Sequence, residues 1–234
     1  MSDIGEAFST AFALMLRLDP EYLGIIKLSL QVSVSAVVLA SMVALPVGAA
    51  VALARFPGRG LLVATLNASM GFPPVVMGLV LYVLFSRSGP LGFMGLLFTP
   101  GAMIAAQTLL VAPIVAAISR QVLEDLWTEY ADLLHSLQAT VPQAVATLLW
   151  DARYSLITGI LAGFGRAISE VGAIIIVGGN IAYVTRTMTT AIALETSKGN
   201  LALAMGLGVF LLFLSFAASL LAQGLHFLAR RYHA

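Results

Sequence analysis

Residues 127–173 read WTEYADLLHSLQATVPQAVATLLWDARYSLITGILAGFGRAISEVGA, and this stretch decides how the chain is built. Its first part carries Glu129, Asp132, His135 and Asp151, with Glu124 and Asp125 just ahead of it. No other run is as polar in a chain that is otherwise strongly apolar. Beyond Arg153, its second part is uncharged except for Arg166 and Glu170. A polar, helix-prone segment between apolar spans must sit in water on one side of a membrane. It is therefore a surface that a soluble partner can grip.

The rest of the composition agrees. Of 234 residues, 60% are hydrophobic and 10% charged, and the mean hydropathy is +0.99. These values exclude an ordinary soluble domain, because the apolar residues fall in runs too long for a soluble core. A net charge of +1 without a basic cluster points away from nucleic acid. There is no cysteine, which removes disulfides, thiol catalysis and zinc–thiolate sites. The first twenty residues hold Asp3, Glu6 and Asp19 and lack a basic start, so no secretory signal peptide is expected.

Working outward, the pattern predicts an all-α membrane protein with about five transmembrane helices. Residues 4–18 place Phe8, Phe12, Met15 and Leu16 at helical spacing, which predicts a helix on the bilayer surface within residues 1–20. The expected membrane domain covers 21–230. Its first uncharged run, 28–54, covers ~40 Å at ~1.5 Å per residue, enough for a ~30 Å hydrocarbon core. Pro46 should kink it. The second run, 60–86, is interrupted by Gly71, Pro73, Pro74 and Gly78, and carbonyls freed there need protein or a water-filled path. The third, 100–119, contains Pro113 and should end at Arg120. Residues 121–152 are expected outside the bilayer as two or three short helices with a break near Val141-Pro142. The fourth span, 153–177, is closed by Gly178-Gly179-Asn180, residues 181–198 hold a short helix against the membrane, and 199–229 form the fifth.

If 121–152 is cytoplasmic, alternation puts Arg55, Arg59, Arg120, Arg153, Arg166, Arg230 and Arg231 on or near that side, against Arg17, Lys27, Arg87, Arg186 and Lys198 outside. That bias predicts the N-terminus outside and the C-terminus in the cytoplasm.

Little in the chain can carry catalysis. Lys27 and Lys198 are the only lysines and neither follows a glycine, so the phosphate-cradling loop of an ATPase is missing. His135, His226 and His233 are too scattered for a metal site, and no cofactor or catalytic residue is expected. Glu170 lies in an apolar helix, where a bare charge costs ~2.5–3.5 kcal/mol. Arg166 is one turn earlier on the same face and should pair with it, either as a packing element or as part of a moving pathway. Gly159 and Gly163 give a smooth face, a candidate for pore-side or dimer contact. Gly178, Gly179, Asn180, Thr187, Thr189 and Thr190 offer small donors suited to a passing anion, or form an ordinary outer loop. Arg186 and Lys198 outside could attract anions.

The run Asp132-Leu133-Leu134-His135-Ser136-Leu137-Gln138-Ala139-Thr140, followed by Gly163-Phe164-Gly165-Arg166-Ala167-Ile168-Ser169-Glu170-Val171-Gly172-Ala173, resembles permeases of ATP-binding-cassette importers. The wording up to Glu195-Thr196-Ser197 is similar to the tungstate branch of the molybdate, tungstate and sulfate permeases. Where that family's cytoplasmic coupling loop has two alanines and a glycine, this chain has Leu133, Leu134 and Gln138. The resemblance implies a homodimeric pathway in the inner membrane, two copies of a separate ATPase that binds ATP, and an extracytoplasmic oxyanion-binding protein. It implies coupling to the ATPase through Glu129, Asp132, Leu133, Leu134, Leu137 and Gln138. A helix presenting Leu133, Leu134 and Leu137 with acidic flanks suits docking in a groove. Tungstate is the expected solute, with molybdate and sulfate as alternatives. A stand-alone secondary transporter would need an ionisable relay, and only Arg166 and Glu170 are available within the spans. A membrane anchor for an enzyme complex would not need prolines at mid-depth in three spans.

Overall fold

A computed structural model describes the backbone of residues 20–232 and the side chains of residues 20–224; the surface helix expected at 4–18 lies outside the described residues. Helices follow one another without a strand among the described residues: α1 (Pro20–Leu53), α2 (Arg59–Ser69), α3 (Pro74–Phe85), α4 (Pro100–Ser136), α5 (Val141–Asp151), α6 (Arg153–Ile168), α7 (Gly172–Gly178), α8 (Met188–Ser197) and α9 (Leu201–Tyr232). Three of them, α1, α4 and α9, are long and apolar enough to cross a membrane. The pairs α2/α3 and α6/α7 reach that length together but are bent at their breaks by 99° and 58°. The five runs read from the sequence map onto these three helices and two bent pairs.

Proline placement explains most of the boundaries. Pro20, Pro74, Pro100 and Pro142 all lie in first turns, where the missing N–H costs nothing. Pro46 and Pro113 lie inside α1 and α4, which continue through them. One boundary differs from the expectation. Arg120 does not end the third span: α4 runs on to Ser136 as one helix. Arg120 is tolerated in its interior because Glu124, one turn on, pairs with it, and Arg59 reaches the same carboxylate at 2.7 Å. Arg59 also donates through Nε to the Val51 carbonyl at 2.8 Å, so the end of α1, the start of α2 and the middle of α4 meet at one point.

The core is built on α1 and α4, which pack along each other. At one end of the bundle Ala49, Ala52, Leu123, Leu134, Leu148 and Leu156 join α1, α4, α5 and α6. At mid-length Ala40, Val111, Val115 and Ala167 join α1, α4 and α6. At the other end Tyr22, Ile25, Met188 and Leu207 join α1, α8 and α9. The expected smooth face exists, but its partner is internal. A Cβ on Gly159 would lie 2.8 Å from Ile118, and one on Gly163 would lie 2.9 Å from Val111. This face packs α6 on α4 of the same chain and is unavailable for a dimer or pore. Large apolar side chains remain outward on α3 (Val75, Val76, Leu79, Val83) and α9 (Leu212, Phe213, Phe216), as contact with lipid tails requires.

Candidate functional site

The first part of the site is the α4–α5 corner. α4 ends in a hydrogen-bonded turn: Ala139 N–H donates to the Leu134 carbonyl and Gln138 N–H to the His135 carbonyl, both at 3.0 Å. This is the paired closure that glycine normally completes in the left-handed region. Gln138 takes that place with φ 52°. α5 then starts on a capping box, with Thr140 N–H donating to Gln143 Oε1 at 2.9 Å and Pro142 in the first turn. Glu129, Asp132, Leu133, Leu137 and Gln138 are exposed, Leu133 and Leu137 at 54% and 68%. Leu134 differs. It is turned into the core against Leu123 and Leu148 and holds the corner together from inside, so the surface offered to a partner is Leu133 and Leu137. Beside them, Tyr130, Leu133, Leu137, Thr147 and Trp150 line a hollow of about 430 Å³.

The second part lies near the middle of the α6/α7 pair. Arg166 is thirteen positions beyond Arg153, ~20 Å along a helix. Its Nη2 stands 3.6 Å from Glu170 Oε2, as the one-turn spacing predicts. The two ends of this pair are unequal: Glu170 is buried, while the Arg166 side chain is 42% exposed. Glu170 follows the end of α6, and its Oε1 accepts from Ala173 N–H at 3.2 Å, which caps α7. The break around it is stitched from neighbouring helices. Thr189 Oγ1 donates to the Glu170 carbonyl at 2.8 Å, and Gln107 Nε2 donates to the Ala167 carbonyl at 2.8 Å. α3 and α7 both begin at this depth, and they touch so closely that a Cβ on Gly78 would lie 2.8 Å from Ala173 Cα. Gln107, which no charge pattern singles out, is 1% exposed and was not legible as a site residue.

The third part is the turn from α7 to α8. Gly179 has φ 71°, and a Cβ there would lie 2.8 Å from the Phe98 ring, so two constraints demand glycine. Gly178 is buried against Met103, and Asn180 Nδ2 donates to the Thr190 carbonyl at 3.3 Å. The threonine hydroxyls are already engaged within the fold. Thr187 and Thr190 cap α8 reciprocally, and Thr187 and Thr189 oxygens lie 3.3 Å apart. The cations flanking α8 are likewise neutralised: Arg186 faces Glu21 at 3.7 Å and Lys198 faces Glu195 at 2.9 Å. The Lys198 hydrogen bond, helped by Asn200, holds the Glu195 carboxyl below the usual range against the opposing effect of burial. No cluster of three or more His, Asp or Glu able to hold a metal occurs among the described residues.

This arrangement has a polar corner at one end, an ion pair near the middle of the α6/α7 pair and breaks in two spans. No family model matches the chain. It is 42% identical to a probable anion ABC transporter permease of Haloferax volcanii over 79% of this chain and 82% of that protein. It is 39% identical to the tungstate uptake system permease of Peptoclostridium acidaminophilum, over 93% of this chain and 95% of that one. With the corresponding tungstate permease of Campylobacter jejuni the identity is 36%, over 95% and 93%. A sulfate transport permease of Salmonella typhimurium matches over only 59% of this chain. A multi-pass helical architecture with an extended polar corner, and near-full-length likeness to these permeases, place the chain in the ABC transporter permease family that includes the tungstate uptake permeases.

Proposed function

We propose that this chain is the membrane pathway subunit of an ATP-driven importer for an oxyanion, tungstate before molybdate or sulfate. The observation that carries the reading is near-full-length likeness to two tungstate uptake permeases, against a shorter match to the sulfate permease. ATP is bound and hydrolysed by a separate ATPase, present in two copies, and this chain needs no cofactor of its own. A binding protein on the outer face delivers the anion, and two copies of this chain enclose the path. The α4–α5 corner, through Glu129, Asp132, Leu133, Leu137 and Gln138, docks on the ATPase. Closure of the ATPase dimer moves that corner and switches the side to which the path opens.

Within the path, the ion pair is the assigned anion station. Arg166, which the charge pattern places on or near the cytoplasmic side, stands thirteen residues inside the span from Arg153 with an exposed side, and hydrocarbon is an unfavourable neighbour for it. Glu170 keeps the site from holding a dianion too tightly to release it. Gly178, Gly179, Asn180, Thr187, Thr189 and Thr190 frame the outer end. The N-terminus lies outside and the C-terminus in the cytoplasm.

The test is uptake by the reconstituted complex with its own binding protein, for tungstate, molybdate, sulfate and a neutral amino acid. Tungstate uptake that falls on Arg166→Gln supports the reading. Amino-acid uptake without anion uptake overturns it. Orientation is checked separately: the chain has no cysteine, so a single Gly58→Cys, between α1 and α2, should resist an impermeant thiol reagent in intact cells.

A further inference from the structure

A groove of about 740 Å³ runs between α1, α5 and α6, lined among others by Met42, Pro46, Val145, Leu149 and Ile157. Every lining residue is uncharged except one, Arg153, at the first turn of α6. Its guanidinium lies 4.9 Å from the centre of the Trp150 ring and 4.6 Å from that of Tyr154. Nη1 also donates to the Trp150 carbonyl at 2.6 Å. Arg153 forms no salt bridge among the described residues, unlike Arg59, Arg120, Arg166 and Arg186. Trp150, which lines the neighbouring hollow beside Leu133 and Leu137 and meets the groove only through Arg153, is 72% exposed, and Met42 in the groove is 66% exposed.

We infer that this groove is a binding site for an anionic phospholipid of the leaflet that borders α5. The arrangement matches the two halves of such a molecule. An apolar trench opens beside membrane-spanning helices and suits an acyl chain. At its aqueous end stands one fixed cation, framed by an indole and a phenol, the residues that settle at headgroup depth. Stacking between two rings holds the guanidinium in place while leaving N–H groups directed away from them. A planar cation with several donors suits the phosphodiester oxygens of a headgroup. A zwitterionic lipid carries its own ammonium beside the phosphate and gains less from Arg153, so the site discriminates by net headgroup charge. The inference stands apart from the transported solute, since it uses neither Arg166 nor the α7–α8 turn.

The experiment uses the full chain purified in detergent with Trp127→Phe, leaving Trp150 as the sole tryptophan. Its fluorescence is titrated with phosphatidylglycerol or phosphatidylcholine bearing the same brominated acyl chains, which quench an indole on contact. Phosphatidylglycerol should quench at lower concentration. Arg153→Gln should weaken that preference roughly fivefold, the scale of one basic residue at an anionic surface, and Arg153→Lys should retain most of it. Ile157→Phe fills the trench at an exposed position and should weaken quenching by both lipids with Arg153 intact. Equal quenching by the two lipids in the unsubstituted groove overturns the assignment. So does an absence of quenching in a dimeric sample, because a second copy would then occupy the groove.

Discussion

Gln138→Gly isolates the geometry of the α4–α5 corner from its chemistry. Gln138 stands in the left-handed region with φ 52°, closing the turn through its own N–H and that of Ala139. A side chain in that conformation costs ~1–2 kcal/mol relative to the right-handed alternative. Glycine removes this cost but is freer in the unfolded chain, which returns part of the gain. The net expectation is a stabilisation of ~0.5–1 kcal/mol, or ~1–4 °C in Tm for a chain of this size. Gln138→Val tests the opposite direction, since a β-branched residue is a poorer fit to positive φ. It should lower Tm by a few degrees or open the turn, with loss of hydrogen-exchange protection at Ala139. Both variants leave Leu133 and Leu137 unchanged, so thermal unfolding of the detergent-solubilised chain reads the turn alone. A drop in Tm for the glycine variant, together with no change for valine, would refute the reasoning.

Three further outcomes are expected. Gly78→Val drives a side chain into the Ala173 backbone at 2.8 Å, where nothing flexible can yield, and should destabilise by ~1–3 kcal/mol, read as a lower unfolding temperature. Leu137→Asp, at a position 68% exposed, should leave the fold intact by circular dichroism while abolishing copurification of the ATPase, because it buries an unpaired charge in that contact. Undiminished copurification would remove Leu137 from the docking surface. Glu195 has a folded pKa below its ordinary value because of Lys198 and Asn200. Its stabilising effect is therefore complete above the usual carboxylate range and is lost as pH falls through the depressed folded value. Asn200 N–H donates to the Glu195 carbonyl at 2.9 Å. Its hydrogen-exchange protection factor, the intrinsic rate divided by the observed rate at the same pH, should fall in acid and stay constant between neutral pH and the onset of that titration.

Long uncharged runs and first-turn prolines made the spans and most helix starts legible, because both act through local backbone chemistry. The Arg166–Glu170 contact followed from a spacing of four. What stayed hidden depends on partners distant in sequence. Arg120 looks like a terminator until Arg59 and Glu124 are seen beside it. Gly159 and Gly163 advertise close packing but cannot name Ile118 and Val111 as what packs there. Thr187, Thr189 and Thr190 read as donors for a passing anion, and only the fold shows them committed to a cap and to Glu170. Leu134 differs from Leu133 solely by the direction in which one helical position faces.

The uninterrupted course of α4 has a mechanical consequence. Glu124 is clamped by Arg59 and Arg120, which makes it a fulcrum on a rod that runs from Pro100 to Ser136. At ~1.5 Å per residue the arm toward Ser136 is ~18 Å and the arm toward Pro100 is ~36 Å. A rigid rod pivoting there would turn a sideways push at the short arm into a reversed displacement about twice as large at the other end. α1 packs against this rod at mid-length and at the Ser136 end, so the two helices would move together in such a stroke. The gearing ratio is written into where the carboxylate sits: moving that anchor one turn toward Ser136 would lengthen the throw and reduce the force delivered.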